Sequence, residues 1–276
     1  MSAYDRAKHL GFLREATVTW LSGRFHSTPK SLMFAISLLD RFLGIVCVKD
    51  LKCLAAACYY IAAKTTQESK EALSVSSKII ARLCDYQFSA SDIVLMKLVV
   101  LKKLYFDANA ITPLHFIQFC MASLKAGEFL KGTRRTHEEH LRALVRRLQF
   151  CAQDYRFLMY RASTLGLALF MTECKQLPEF NWLTVSLSLQ TACHIPGREL
   201  SICFEEVQEF FSSRSDWLDT KPSLTEQFRR RGSCNSKEKA RIRHRRCQMS
   251  MSCRGEAELL IKSDTEKCLS YEKRRP

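Results

Sequence analysis

The chain has 276 residues, of which 47% are hydrophobic and 17 are Phe, and it carries a formal net charge of +15. That apolar and aromatic content excludes a disordered chain, and the length suits one large or two modest domains. The charge is lopsided: from Lys221 to Pro276 there are 16 Lys and Arg against 7 Asp and Glu, so this stretch alone supplies +9 and the longer body is mildly basic.

Apolar residues recur at helical spacing through the body, and no period-2 segment interrupts them, which predicts an all-α fold. A first helix spans about His9 to Leu21. Thr28-Pro29 reads as an N-cap followed by proline at the first helical position, and Leu32, Ile36, Leu39 and Leu43 then form a stripe that stops at Gly44. The next helix, about Asp50 to Lys64, is apolar or small on every face, and its alanines (Ala55, Ala56, Ala57, Ala62, Ala63) mark it as a hub surrounded by other helices. Val75 to Cys84 and Ser91 to Phe106 complete a first set, the latter with Ile93, Met96, Val100, Leu101 and Leu104 inward.

Thr112-Pro113 then repeats the earlier cap, and Thr136 with Glu139 forms a capping box opening a helix from His137 to Ala152. Segments Ser163 to Glu173, Asn181 to His194 and Glu199 to Ser212 follow, Leu167 and its small neighbours forming a second hub. Two five-helix units in tandem are therefore expected. After Trp217 the apolar periodicity fails, and FRRRGSCNSKEKARIRHRR reads as part of a flexible basic tail.

The thirteen cysteines are odd in number, Cys53, Cys58, Cys120, Cys151 and Cys203 lie in apolar runs, and no C-x-x-C occurs. This argues for a reducing compartment over a disulfide or zinc framework. MSAYDRAKHL lacks the apolar core of a signal peptide, and the longest charge-free apolar run, Cys53 to Ala63, is far short of the ~20 residues that cross a bilayer. A soluble, intracellular protein with no membrane partner is expected. His137-Glu-Glu-His140 superficially suggests a metalloprotease, but that chemistry needs histidines at i and i+4, so no metal site is expected. No Gly-rich phosphate loop is present, and cysteines buried in helices are inert, so neither a cofactor nor an enzyme is expected.

The order of elements over residues 13–106, with LREATVTWL, SLLDRFL, a small-residue helix ending AAK, and SDIVLMKLVVLKKL, resembles a cyclin box. Cys53, TPLHF at 112–116 and RASTLGLALFMTECKQLPEFNWLTVSLSLQ at 161–190 resemble the G and I cyclins, the I type above all. The resemblance implies tandem five-helix cyclin-box domains over 9–107 and 112–213, the second more divergent, followed by the basic tail over 221–276. It further implies a non-catalytic regulatory subunit of a cyclin-dependent kinase, in the nucleus and cytoplasm, the partner being the atypical neuron-enriched member of those kinases. The chain starts close to the first box helix, so the extra N-terminal helix of long cyclins is expected to be mostly missing.

By the same resemblance Arg14 and Asp40 form an inter-helix ion pair of architectural rather than binding character. Arg41, beside the inward-facing Asp40, is expected to point to solvent. Lys64 has two readings. One is a lysine that caps free carbonyls at a helix C-terminus. The other, implied by the family, is a docking residue that bonds main-chain carbonyls beside the kinase's mobile αC helix, with an acidic partner on the fifth helix. The alignment puts Lys97 where that glutamate is expected, and an ammonium accepts no hydrogen bond, so Gln67 or Glu68 is left to supply the acceptor. The apolar recruiting patch of many cell-cycle cyclins maps to Leu13, Ala16, Thr17 and Trp20, a smaller and more polar set. In the tail, Lys237, Lys239, Arg241, Arg243, Arg245 and Arg246 read as a nuclear import signal, an anion-binding run or a solvated one. Nucleic acid would be held there through phosphates alone and without specificity. The alternative to a kinase activator is a non-activating cyclin-fold adaptor or a nucleic-acid-associated, transcription-related protein.

Overall fold

In the computed structural model, residues 3–25, 28–46, 50–66, 75–124, 136–177 and 181–212 are described. Every regular element among them is helical: α1 (Ala3–Arg24), α2 (Pro29–Leu43), α3 (Leu51–Thr65), α4 (Ser77–Leu83), α5 (Ala90–Lys103), α6 (Pro113–Ser123), α7 (His137–Cys151), α8 (Ala162–Cys174), α9 (Trp182–Ala192) and α10 (Gly197–Ser212), with a 3-10 turn at Tyr155–Met159. The all-α architecture is the one expected. Short polar residues start these helices by taking backbone N–H groups that have no partner within the helix. Thr28 accepts from Ser31 at 3.2 Å with Pro29 at the first position, and Asp50 accepts from Cys53 at 3.2 Å. Ser89 and Asp92, and likewise Thr136 and Glu139, close reciprocal capping boxes. At Thr112 the backbone N–H donates to Nδ1 of His115 at 3.1 Å.

Several boundaries differ from the expectation. α1 begins at Ala3, six residues before His9, and α10 begins at Gly197, directly after Pro196. α5 stops at Lys103 instead of Phe106, because Tyr105 and Phe106 take left-handed backbone angles (φ 53 and 58). Such angles cost an ordinary side chain about 1 to 3 kcal/mol; here they accompany the turn's backbone hydrogen bonds, from the Tyr105 N–H to the Lys102 carbonyl at 3.0 Å and from the Phe106 N–H to the Leu101 carbonyl at 2.7 Å. Just beyond, Asp107 receives Arg41 at 3.0 Å, and Arg41 also donates to the Asn109 carbonyl at 3.1 Å. Arg41 is therefore a tether between α2 and the segment after α5, not a side chain given over to solvent. Leu101, expected inward, is half-buried. It lies about 140° around the helix from the buried Met96, at the edge of the stripe.

The described residues divide into two compact units, one within 17–110 and the other within 3–16 and 111–212. In the first, α3 packs chiefly against α2 and α5, and Cys53 to Tyr59 with Ile61 to Ala63 are buried, as befits a hub. In the second, α8 is the hub, packing against α6, α7, α9 and α10, with Thr164 to Cys174 buried throughout. Gly166 lets α6 and α8 approach: a Cβ there would sit 2.7 Å from the Phe116 Cβ and 2.9 Å from the Pro113 carbonyl. The early part of α1 packs in this second unit. There Arg14 donates to the Ala152 carbonyl at 2.6 Å, and Glu15 accepts from the Tyr155 N–H at 3.0 Å.

Candidate functional site

Near the end of α3 two carbonyls are served locally. The Thr65 hydroxyl donates to Ile61, and the Thr66 hydroxyl and N–H both go to Ala62. Thr66 Oγ1 also meets Ser31 Oγ of α2 at 2.5 Å, fixing where the hub helix ends. At that end Lys64 is exposed, on a helix otherwise buried from Cys53 to Ala63 except at Tyr60. Tyr60 is one turn before Lys64 and so shares its face. On α5, Lys97 places Nζ 5.5 Å from the centroid of the Tyr60 ring, a cation–π contact. The structure thus gathers Lys64, Tyr60 and Lys97 on one side of the α3–α5 pair. Gln67 and Glu68 lie outside the described residues.

Next to Lys97, the outward side of α5 is apolar. Val94, Leu95 and Leu98 line an open groove of about 370 Å³ with Ala90, Ser91 and, from α4, Ser77. Leu98 is 41% exposed, while the opposite face of α5 buries Ile93, Met96, Val99 and Val100 in the unit's core. Tyr105 and Phe106, in the turn that closes α5, are 90% and 65% exposed. Neither Tyr60, the groove nor this aromatic pair was singled out in the sequence. For Tyr60 a signal was available in its i, i+4 relation to Lys64; the groove depends on α4 lying against α5 and has no local signature.

Asp40 is half-buried on α2 and faces α3, where the Cys58 thiol is pushed far up by burial and then by the Asp40 carboxylate. Arg14 is 3% exposed and holds the Ala152 carbonyl. The patch positions diverge from one another: Leu13 and Ala16 are exposed and Thr17 is buried. Trp20 packs edge-on against Phe25, with Lys52 Nζ 5.9 Å from the centroid of its ring. The six basic residues from Lys237 to Arg246 lie outside the described residues.

The second unit has its own charged core. Glu173, 1% exposed on the hub helix α8, accepts from Nδ1 of His140 at 2.7 Å and from Arg147 at 2.7 Å, both on α7. His140 is therefore committed to a buried carboxylate, while Nε2 of His137 lies 3.5 Å from the Met121 carbonyl. Among the described residues no group of three His, Cys, Asp or Glu could hold a metal ion, and no helix is long and apolar enough to cross a membrane.

Residues 5–109 match the family Cyclin, N-terminal domain. The chain is 28% identical over 201 residues to cyclin-G1 of Rattus norvegicus, covering 72% of this chain and 67% of that protein. To cyclin-G2 of Mus musculus it is 26% identical over 206 residues (74% and 58%), and to cyclin-I2 of Homo sapiens 25% identical over 205 (71% and 54%). A solved viral cyclin from herpesvirus saimiri matches 73% of this chain and 86% of its own with a TM-score of 0.57 at 17% identity, a likeness of fold. The described residues thus have an all-helical, cyclin-like fold. Over residues 5–109 the chain is similar to the cyclin N-terminal domain, and the proteins it is similar to over a longer stretch are cyclins of both the G and the I type.

Proposed function

We propose that the chain is a non-catalytic regulatory subunit that docks a cyclin-dependent kinase on the α3–α5 face of its first unit. The observation that carries this reading is the exposure of Lys64 at the C-terminal end of the otherwise buried hub helix, on the face where Tyr60 meets Lys97 of α5. Docking beside the kinase's mobile helix moves that helix inward, so that its glutamate meets the ATP-orienting lysine and phosphoryl transfer becomes competent. Within the family the chain is read as I-like, with boxes over 9–107 and 112–213. Its kinase is the atypical neuron-enriched member, and its work lies in cell-cycle or differentiation control. Arg14 and Asp40 serve architecture, and Gln67 and Glu68 stand close enough in sequence to Lys64 to supply the acceptor that Lys97 lacks. The stretch Lys237 to Arg246 is assigned to nuclear import, which gives a protein shared between nucleus and cytoplasm.

The test is affinity purification from cells with mass spectrometry and a kinase assay, comparing wild type with Lys64→Ala. Recovery of a cyclin-dependent kinase and its activity with the wild type, lost in the variant while the circular dichroism is unchanged, supports the proposal. Equal recovery with both proteins rejects it. Lys97, cationic where the family carries a glutamate, favours one other reading, a non-activating adaptor: kinase recovered with Lys64 intact but inactive selects it. DNA affinity that collapses with salt and survives Lys64→Ala would instead select a nucleic-acid-associated protein.

A further inference from the structure

In the second unit, α7 and α10 turn charged side chains outward, among them Arg142 and Arg146 on one and Glu205 and Glu209 on the other. α9, WLTVSLSLQTA, holds no charged residue. Its inner side buries Ser186 and Leu189, and its outer side shows Leu183, Thr184, Leu187, Ser188 and Thr191, an arc of about 140°. Leu183 and Leu187, one turn apart, are 56% and 61% exposed. Hydroxyls beside them already donate within the helix: Ser188 to the Thr184 carbonyl at 3.0 Å and Thr191 to the Leu187 carbonyl at 2.9 Å. Covering this face would therefore leave neither of those donors unsatisfied, and would take two leucines out of water.

Size limits what can cover it. An 11-residue helix is about 16 Å long. A second copy laid across it would bury well under the roughly 1,200 Å² that holds two free proteins together. A tethered segment needs much less. α10 ends at Ser212 and 64 mostly polar residues follow, 213 to 276, all outside the described residues. Their densest apolar cluster is AELLI, Ala257 to Ile261, preceded by Glu256 and followed by Lys262. Acids early and a lysine late suit a helix dipole, Glu258 and Lys262 are an i, i+4 pair, and helical spacing puts Ala257, Leu260 and Ile261 on one side. The 43 residues from 213 to 255 span about 33 to 39 Å as a flexible coil, against a radius of gyration of about 13 Å for a folded unit of about 100 residues. The cluster is thus kept near α9 at an effective concentration on the order of 1 mM.

We propose that the segment Glu256 to Lys262 of this chain's own tail docks on the outer face of α9, with Leu260 and Ile261 covering Leu183 and Leu187. Docking there closes a loop that holds the basic run from Lys237 to Arg246 beside the second unit. The contact is made within one chain, so it stands or falls apart from the kinase-docking reading.

Hydrogen–deuterium exchange of the full chain, followed by mass spectrometry on the fragments that carry 256–262 and α8, is the test. A contact of a few aliphatic side chains, with a dissociation constant on the order of 0.1 to 1 mM, should slow exchange at 258–262 about two- to tenfold at that effective concentration. The double variant Leu183→Gln with Leu187→Gln, both on the exposed side of α9, should remove the slowing while α8 exchanges as in the wild type. Leu260→Gln with Ile261→Gln, which leaves the second unit untouched, should remove it as well. Tenfold dilution of the wild type should leave the slowing unchanged, as a contact within one chain requires. Exchange at 258–262 as fast as in an unstructured peptide overturns the proposal. Slowing that survives the α9 double variant also overturns it, by seating the segment elsewhere. Slowing that fades on dilution would make the occupant the tail of a second copy, and would overturn it equally.

Discussion

Replacing Glu173 by Gln keeps the side chain's shape and removes its charge, with consequences set by the geometry around it. The carboxylate is 1% exposed and sits 2.7 Å from both the His140 imidazole and the Arg147 guanidinium, whose side chains are 2% and 8% exposed. No water replaces the lost anion at such depth, and a glutamine has one acceptor oxygen for two donors. Arg147 would stay charged in an apolar interior, with the Phe211 ring, 6.0 Å from its centre, as a weak substitute. Breaking a buried ion pair from one side costs about 3 to 5 kcal/mol, a large part of the ~5 to 15 kcal/mol that holds a domain folded. We therefore expect Glu173→Gln to lower the stability of the second unit by about 3 to 5 kcal/mol in urea unfolding followed by far-ultraviolet circular dichroism and by Trp182 fluorescence. The paired replacement Glu173→Leu with Arg147→Met removes both charges together and should recover most of the loss, because an apolar filling of similar volume is close to neutral. A Glu173→Gln protein that unfolds within about 1 kcal/mol of wild type would refute the reasoning, as would a double variant no more stable than the single one.

Gly166→Ala should destabilise the same unit by about 1 to 3 kcal/mol, since its methyl group meets the Phe116 Cβ and the Pro113 carbonyl and α6 must shift away; an unchanged unfolding midpoint would contradict that close approach. Peptide mapping after brief iodoacetamide treatment at pH 8 should find Cys193, which is half-exposed, alkylated before Cys84, Cys120 and Cys203, whose thiols burial pushes up to about 12; equal labelling would count against their burial. Those three thiols also give a pH dependence. Unfolded cysteines release protons near their ordinary value of 9.0 while the folded ones hold theirs to about 12, so the contribution is full below pH 9 and stability falls as pH rises through that window. Urea midpoints that stay level from pH 8 to 10.5 would oppose this.

Much of the helical frame was legible because its determinants are local. A cap such as Thr28 with Ser31, or Thr136 with Glu139, works across three residues, and the all-apolar perimeter of α3 announces a helix that must be surrounded. Lys64 could be picked out in the same way, as a charge ending an apolar run, and the resemblance gave it a role. The Glu173 core escaped notice although it has the same signature, a lone acid inside LGLALFMTEC, because its partners lie 33 and 26 residues earlier. The early end of α5 also escaped: nothing in LKKLYF asks Tyr105 and Phe106 to adopt left-handed angles. Arg41 shows the difference most plainly, since its neighbours in sequence suggest solvent while Asp107 and Asn109, over sixty residues on, hold it.

What the sequence determined by itself was where helices start, which faces are apolar and which family the first hundred residues resemble, all of which rest on interactions within about four residues of each other. Tertiary structure alone decided that Lys97 lies over Tyr60, that α4 and α5 leave an apolar groove, and that one buried carboxylate joins two helices of the second unit. The physical reason is that such contacts depend on how helices dock, and docking is set by side-chain packing across the whole core, which no short window of residues contains.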